Sequence, residues 1–220
     1  SLNRLSLVKS FQPSAVQIIL PDWFPVTIEE AVIFLKRMED EADGIPLVLY
    51  NPPHAKKVLL PSDWAILKHS VPSLIGVKVF DYNGDLQWYK EMNVNKSGLS
   101  VFVPGHNLAT GIKMGADGAY SNVACLNPFA AQRWYNMMET NMEDALELEK
   151  RIKIFIDKCI TPFIVNGHFP NHACDRFMAM VGGWADVGDK LRWPYRSIPL
   201  EYVVKIREKK KKIIPEFLTL

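Results

Sequence analysis

The sequence predicts an α/β fold of parallel strands joined by crossover helices. Three observations carry that expectation. Short apolar runs of strand length recur between residues 14 and 128. Each is followed by a stretch with helical spacing or helix-capping residues. The alternation repeats five times, and strands separated by helices pair in parallel. Runs that are apolar throughout suit strands buried on both faces. An open doubly wound sheet and a closed (β/α)8 barrel both satisfy the pattern.

Ser14-Ala-Val-Gln-Ile-Ile-Leu20 reads as the first strand, ended by Pro21. Thr27 then caps a helix, and Glu30 three residues on completes a capping box. Ile28, Ala31, Val32 and Leu35 keep the helical period until Gly44 stops it. The second strand ends at Tyr50, within Pro46-Leu-Val-Leu-Tyr50-Asn-Pro-Pro53. Ser62 reads as the next N-cap, followed by Trp64, Leu67 and Lys68. The third strand covers Leu74 to Val79, and Gly84-Asp85 opens a helix through Trp88 and Met92. Leu99 to Val103 gives the fourth strand, Leu108 to Met114 a short helix, and Asp117 to Val123 the fifth strand. Pro128 starts the next helix, after which the alternation stops. Residues 129–160 read as two helices, the second with Glu143, Glu147, Lys150 and Arg151 on a wet face. Residues 171–184 read as another helix, ended by Gly182-Gly183, and the tail from Glu201 is helical and basic.

At 220 residues and 48% hydrophobic content, the chain can bury one sizeable core. A net charge of +2 is too balanced to argue for nucleic acid or an anionic membrane as partner. Cys125, Cys159 and Cys174 are scattered and odd in number, without a CxxC pair. Reduced thiols in a cytoplasmic protein are expected. No apolar stretch reaches transmembrane length, and no signal-peptide pattern opens the chain.

Lys78 and Tyr50 carry the chemistry. Each lies at or beside the end of an apolar strand, the lysine within Leu74-Ile-Gly-Val-Lys78-Val-Phe-Asp81. A lysine there is costly to desolvate unless something uses it. A free lysine, with a pKa of about 10.4, is protonated at neutral pH. Desolvation favours the neutral amine, which is a nucleophile for carbonyl carbon. A neighbouring phenol can pass protons beside it. The pair therefore points to imine chemistry on a keto acid. The competing readings are a lysine snorkelling to water and a core tyrosine with its hydroxyl at the rim.

Four motifs in order extend this reading: Tyr50-Asn51-Pro52-Pro53, Ile75-Gly76-Val77-Lys78, Val103-Pro104-Gly105-His106-Asn107, and Gly115-Ala116-Asp117-Gly118-Ala119-Tyr120-Ser121. Together they resemble the dihydrodipicolinate synthase / N-acetylneuraminate lyase family of class I, pyruvate-type aldolases. The resemblance covers nearly the whole chain. It implies a (β/α)8 TIM barrel, here lacking about the first three βα units, followed by a C-terminal helical extension. Residues 1–128 would then hold barrel strands four to eight, and residues 129–220 the last barrel helix plus the helical region. A whole barrel would need roughly 80 more upstream residues, or the chain is a shortened product. The absent part would carry the hydroxyl residues that hold the keto-acid carboxylate.

The resemblance implies Lys78 as the Schiff-base lysine and Tyr50 as the proton relay. It places Tyr120 as a wall near the lysine, Gly105 where a backbone carbonyl faces substrate, and His106 toward the substrate's distal end. Asn51 and Pro53 would shape the loop. Synthases proper carry an arginine after the Tyr-Asn-x-Pro motif. Here Ala55 stands there, beside Lys56 and Lys57. Lys56 would meet a second carboxylate as a point charge rather than a planar fork. Trp23 stands where synthases place a relay tyrosine, and indole cannot exchange a proton as phenol does. Both departures point away from the lysine-biosynthesis reaction, toward an aldolase or dehydratase acting on another keto acid.

The expectation is thus a lysine-imine lyase using pyruvate or another 2-keto acid, without metal or organic cofactor. It would assemble as a dimer or tetramer. A non-catalytic keto-acid or sugar-acid binding protein of the same fold is the alternative, and a purely structural oligomer subunit is a third. His168 and His172 have metal-ligand spacing, but Pro170 between them breaks the helix that would align them. The Lys209–Lys212 run reads as a solvated helical tail. Gly111, Gly115 and Gly118 follow the order helix then strand, the reverse of a phosphate-binding loop.

Overall fold

A computed structural model describes residues 2–218. They group into two compact units. The first runs to Pro104 and adds Gly111–Tyr120; the second holds Gly105–Thr110 and the chain from Ser121 onward.

The first unit contains α1 (Leu2–Lys9), β1 (Val16–Ile19), α2 (Ile28–Ala42), β2 (Leu47–Asn51), α3 (Pro61–Ser70), β3 (Leu74–Val79), α4 (Leu86–Asn95), β4 (Ser100–Pro104) and β5 (Gly118–Tyr120). Helix α5 (Leu108–Lys113) is divided between the units. All neighbouring strands pair in parallel, in the order β1-β2-β3-β4-β5. A doubly wound sheet reverses its strand order at a switch point. Consecutive strands that stay in sequence are those of a (β/α)8 barrel, which decides between the two architectures.

The helices begin where local chemistry dictates. Thr27 accepts from the Glu30 amide at 3.2 Å, and the Glu30 carboxylate accepts from the Thr27 amide at 2.7 Å. Asp43 closes α2 in the left-handed region, at φ 53°. Asp85 caps α4 by accepting from the Gln87 amide at 3.0 Å. Helix α3 starts earlier than Ser62 suggests. Leu60 is its N-cap and Pro61 its first residue, because proline's fixed φ and missing N–H suit that position. The Asp63 carboxylate then accepts from the Leu60 amide at 2.9 Å. Strand β5 is shorter than its apolar run, since its pairing with β4 ends at Pro104↔Tyr120. A 3-10 turn, Asn122–Cys125, follows. Helix α1 carries no strong sequence signal; Leu5, buried, and Leu2 pack into the core of this unit.

One sheet face is fully packed. Ile18, Leu47, Leu49, Val77, Val79, Val101 and Val103 are buried with Leu35, Trp64, Leu67, Trp88 and Tyr89 from the helices. The other face does not match the expectation of strands buried on both sides. Gln17 and Ile19 are exposed, and Tyr50, Lys78, Ser100 and Phe102 are half-buried, although Val48, Gly76 and Gly118 of the same face are buried. Period-two alternation therefore separates a structural face from an accessible one.

The second unit holds α6 (Pro128–Thr140), α7 (Met142–Cys159), α8 (Thr161–Val165), α9 (Asn171–Gly182) and α10 (Glu201–Ile213). Asn127 caps α6, accepting from the Phe129 and Ala130 amides at 3.0 and 3.1 Å. Asn141 ends α6 and caps α7, accepting from the Asp144 amide at 3.2 Å. The buried Trp134 indole donates to the Ala145 carbonyl at 3.0 Å, tying the two helices together.

The basic tail is not wholly solvated. Helix α10 turns Arg207 and Lys210 onto the carboxyl end of α9. Arg207 donates to the Met180 and Val181 carbonyls at 2.8 and 3.2 Å, and Lys210 to Gly182 at 3.2 Å. Cations complement exposed carbonyls at a helix C-terminus. The cost is that Lys210 is only 1% exposed. Burial pushes its ammonium down to about 8, and Arg207 and Lys211 push the same way. Below pH 8 the folded and unfolded chains both hold this proton, so folding carries the full desolvation penalty. As pH rises toward the ordinary lysine value, the folded state releases the proton first and gains stability. Burial raises the Cys125 and Cys174 thiols to about 11, aided by Asp175, which has the opposite sign. Their stabilising effect begins to be lost as pH passes the ordinary thiol value. Comparing variants separates the two. Lys210→Met is expected to exceed the parent in stability by about 2 kcal/mol at neutral pH, less at pH 9.5. Urea midpoints of both proteins at the two pH values measure this, and a pH-independent difference contradicts it.

Candidate active site

Strand register builds the site. Tyr50 on β2 lies directly opposite Lys78 on β3, and Lys78 lies opposite Phe102 on β4. Phe102 is opposite Gly118, and Pro104 opposite Tyr120. Alternation puts Tyr50, Lys78, Phe102 and Tyr120 on the same, accessible face. The Lys78 Nζ stands 4.1 Å from the Tyr50 ring centroid and 5.1 Å from that of Tyr120. Both rings offer their electron-rich faces to the nitrogen. Tyr120 meets Phe102 edge-on, centroids 5.2 Å apart at 76°.

Two glycines make room for Phe102. A Cβ on Gly76 would come within 3.3 Å of the Phe102 ring, and one on Gly118 would meet it at the same distance. The ring therefore lies across β3 and β5 as a floor beside the lysine. No composition or periodicity signal marked Phe102. Finding it required the register, which places it one strand over from Lys78.

Asn51 points the opposite way from Tyr50, as alternation requires. It is 3% exposed; its amide donates to the Lys57 carbonyl and its oxygen accepts from the Leu59 amide, both at 2.8 Å. The loop after β2 is thereby clamped to the strand that carries Tyr50. This agrees with the expectation that Asn51 shapes the loop. Asn51→Leu would strand two backbone groups and is expected to cost about 2–4 kcal/mol. Denaturant unfolding measures it; a loss under 1 kcal/mol would mean the clamp is dispensable.

The structure thus brings Tyr50, Lys78 and Tyr120 together. Lys56 is exposed on the clamped loop. Trp23, after β1, is 97% exposed. Gly105 and His106 belong to the second unit, in a 3-10 turn, Gly105–Asn107. A Cβ on Gly105 would lie 2.7 Å from the Ser121 Cα and 2.8 Å from the Asn122 side-chain oxygen, so packing alone demands glycine there. In the same unit Glu149 of α7 accepts from the Thr110 amide at 3.0 Å and its hydroxyl, and from Lys153 at 3.2 Å.

Among the described residues, no cluster of three or more His, Cys, Asp or Glu could hold a metal ion. His168 precedes α9 in the left-handed region, and His172 packs on Tyr195 with ring centroids 4.4 Å apart. The three cysteines form no disulfide. Among the described residues, no helix is long and apolar enough to cross a membrane.

The model of the Dihydrodipicolinate synthetase family matches residues 11–207. The chain belongs to this family. It is 24% identical over 161 residues to N-acetylneuraminate lyase 2 of Escherichia coli O6:H1, covering 72% of this chain and 51% of that protein. It is 25% identical over 166 residues to the N-acetylneuraminate lyase of Escherichia fergusonii, covering 74% and 54%. The chain thus spans about half the length of the curated relatives it matches. Among solved structures, it matches YagE, a prophage protein of the dihydrodipicolinic acid synthase family from E. coli K12 in complex with pyruvate. The TM-score is 0.80 at 15% identity, over 96% of this chain and 70% of that one. It also matches the 2-keto-3-deoxygluconate aldolase of Sulfolobus sulfataricus in complex with D-KDPG. There the TM-score is 0.79 at 17% identity, over 100% of this chain and 73% of that one. These likenesses show the fold of the family.

Proposed function

We propose that this family member is an aldolase-type lyase that forms an imine between Lys78 and C2 of pyruvate or another 2-keto acid. The observation that carries the reading is the Lys78 Nζ lying 4.1 Å from the Tyr50 ring on the accessible sheet face. The relatives named lyases and aldolases support the same class.

The amine would add to C2, and Tyr50 would shuttle the proton that lets water leave the carbinolamine. The resulting iminium is an electron sink. When the C3–C4 bond breaks, its electron pair moves toward the iminium nitrogen and leaves an enamine. The proton of the C4 hydroxyl passes to the relay as the aldehyde forms. Protonation at C3 and return of water to C2 then release the keto acid and restore Lys78. Tyr120 would wall the site on the side away from Tyr50.

Incubating the full-length protein with pyruvate and borohydride, followed by peptide mass spectrometry, tests the reading. A mass gain on the peptide containing Lys78 is expected. Its absence with pyruvate and with longer 2-keto acids would reject it.

A further inference from the structure

We propose that this site takes keto acids whose distal half is an aromatic ring, so that the cleavage product beside pyruvate is an aromatic aldehyde. The inference rests on the imine reading above and adds the substrate class.

The side chains around Lys78 decide it. In the register that contains the lysine, the accessible face reads Ile19, Tyr50, Lys78, Phe102 and Gly118. Tyr120 stands two residues beyond Gly118. Toward the C-terminal strand ends, where barrel sites form, this face presents rings and one aliphatic group around a single cation. The polar side chains of the same face, Gln17 and Ser100, lie on the other side of this row, with Val48 and Gly76 between them in register. Phe102 occupies the space that the two glycines leave open, and Tyr120 meets it at 76°. The half-buried Phe102 and the exposed Tyr120 in this geometry offer an edge and a face to a third ring. The one polar side-chain atom of this pair is the Tyr120 hydroxyl, so most hydroxyls of a sugar chain would lose water there without gaining a partner.

The loop after β3 adds a second ring pair. Phe80, two residues past Lys78, packs on Tyr82 with centroids 5.3 Å apart. Tyr82, Asn83 and Gly84 all have positive φ, at 49°, 62° and 87°. Three such residues in succession need external support. The buried Asp81 provides it: its backbone carbonyl accepts from the Gly84 and Asp85 amides at 3.0 Å, and its carboxylate from the Tyr89 hydroxyl at 2.8 Å. The ring pair is thus fixed next to the lysine strand.

The step balances without any co-reactant. In 4-hydroxy-2-oxo-4-phenylbutanoate bound as its imine, the C3–C4 bond breaks and its pair forms the enamine. The C4 hydroxyl proton goes to Tyr50 and benzaldehyde leaves. Protonation at C3 and hydrolysis at C2 release pyruvate.

The test begins with borohydride trapping by pyruvate on the full-length protein. Cleavage of 4-hydroxy-2-oxo-4-phenylbutanoate is then compared with that of the counterpart carrying a polyhydroxylated tail, by pyruvate release. A kcat/KM at least about tenfold higher for the phenyl substrate is expected. Phe102→Ser should lower this ratio about tenfold, and Phe102→Leu should lower it less, which covers a serine variant that fails to fold. A protein that traps pyruvate yet prefers the polyhydroxylated substrate, cleaves neither, or keeps its ratio in both variants overturns this inference alone. Failure to trap overturns the imine reading and this one with it.

Discussion

Replacing Lys78 with methionine is expected to lower turnover on the order of 10^4-fold or more, while the protein stays folded. In the proposed imine mechanism nothing would replace the lost nucleophile, because the iminium would be the electron sink for the bond that breaks. Methionine keeps the length and apolar stem of a half-buried side chain, so the strand and its neighbours have little reason to move. Lys78→Arg should fail as completely, since a guanidinium keeps its proton and cannot attack a carbonyl. Pyruvate release and borohydride trapping, both read against an unchanged thermal midpoint, make the comparison. Activity within tenfold of the parent in either variant would remove Lys78 from the chemistry.

Tyr50→Phe is expected to lower kcat by about 10^2–10^4-fold with a much smaller change in KM. The substitution deletes one oxygen and leaves the ring beneath the Lys78 nitrogen, 4.1 Å from the centroid in the parent. Whatever the ring contributes as a cation–π surface, about 0.5–2 kcal/mol, therefore remains. Proton transfer by the phenol is lost. Imine formation should slow, yet trapping should still reach completion on long incubation, because water can replace the phenol poorly but not never. An unchanged kcat would assign Tyr50 to packing. A large rise in KM with kcat intact would make it a binding group instead.

These two residues were legible before any coordinates. A lysine and a tyrosine closing successive apolar runs are local features, and local features survive in a sequence. The same holds for the capping box at Thr27 and Glu30, for Asp85, and for the boundaries of β3. Ser62 misled because two rules met at one place. A serine near a helix start suggests a cap, but Pro61 and Asp63 together start the helix at the proline and put its cap at Leu60. Lys210 misled for a different reason. A run of four basic residues reads as solvated until another helix end is found beneath one of them. Asn51 was rightly read as a loop-shaping residue, though the two backbone groups it clamps could not be named.

By itself, the sequence determined the alternation of strands and helices, the strand-end positions of Tyr50 and Lys78, and the family motifs in their order. Each depends on residues close together along the chain, where spacing alone fixes which side chains share a face. Only the tertiary structure decided that the strands run in unbroken order, that Tyr50 faces Lys78 across one ladder rung, and that Phe102 rests in the space left by Gly76 and Gly118. Register is set by how whole strands and helices pack. A shift of one residue would turn every one of these side chains to the opposite face.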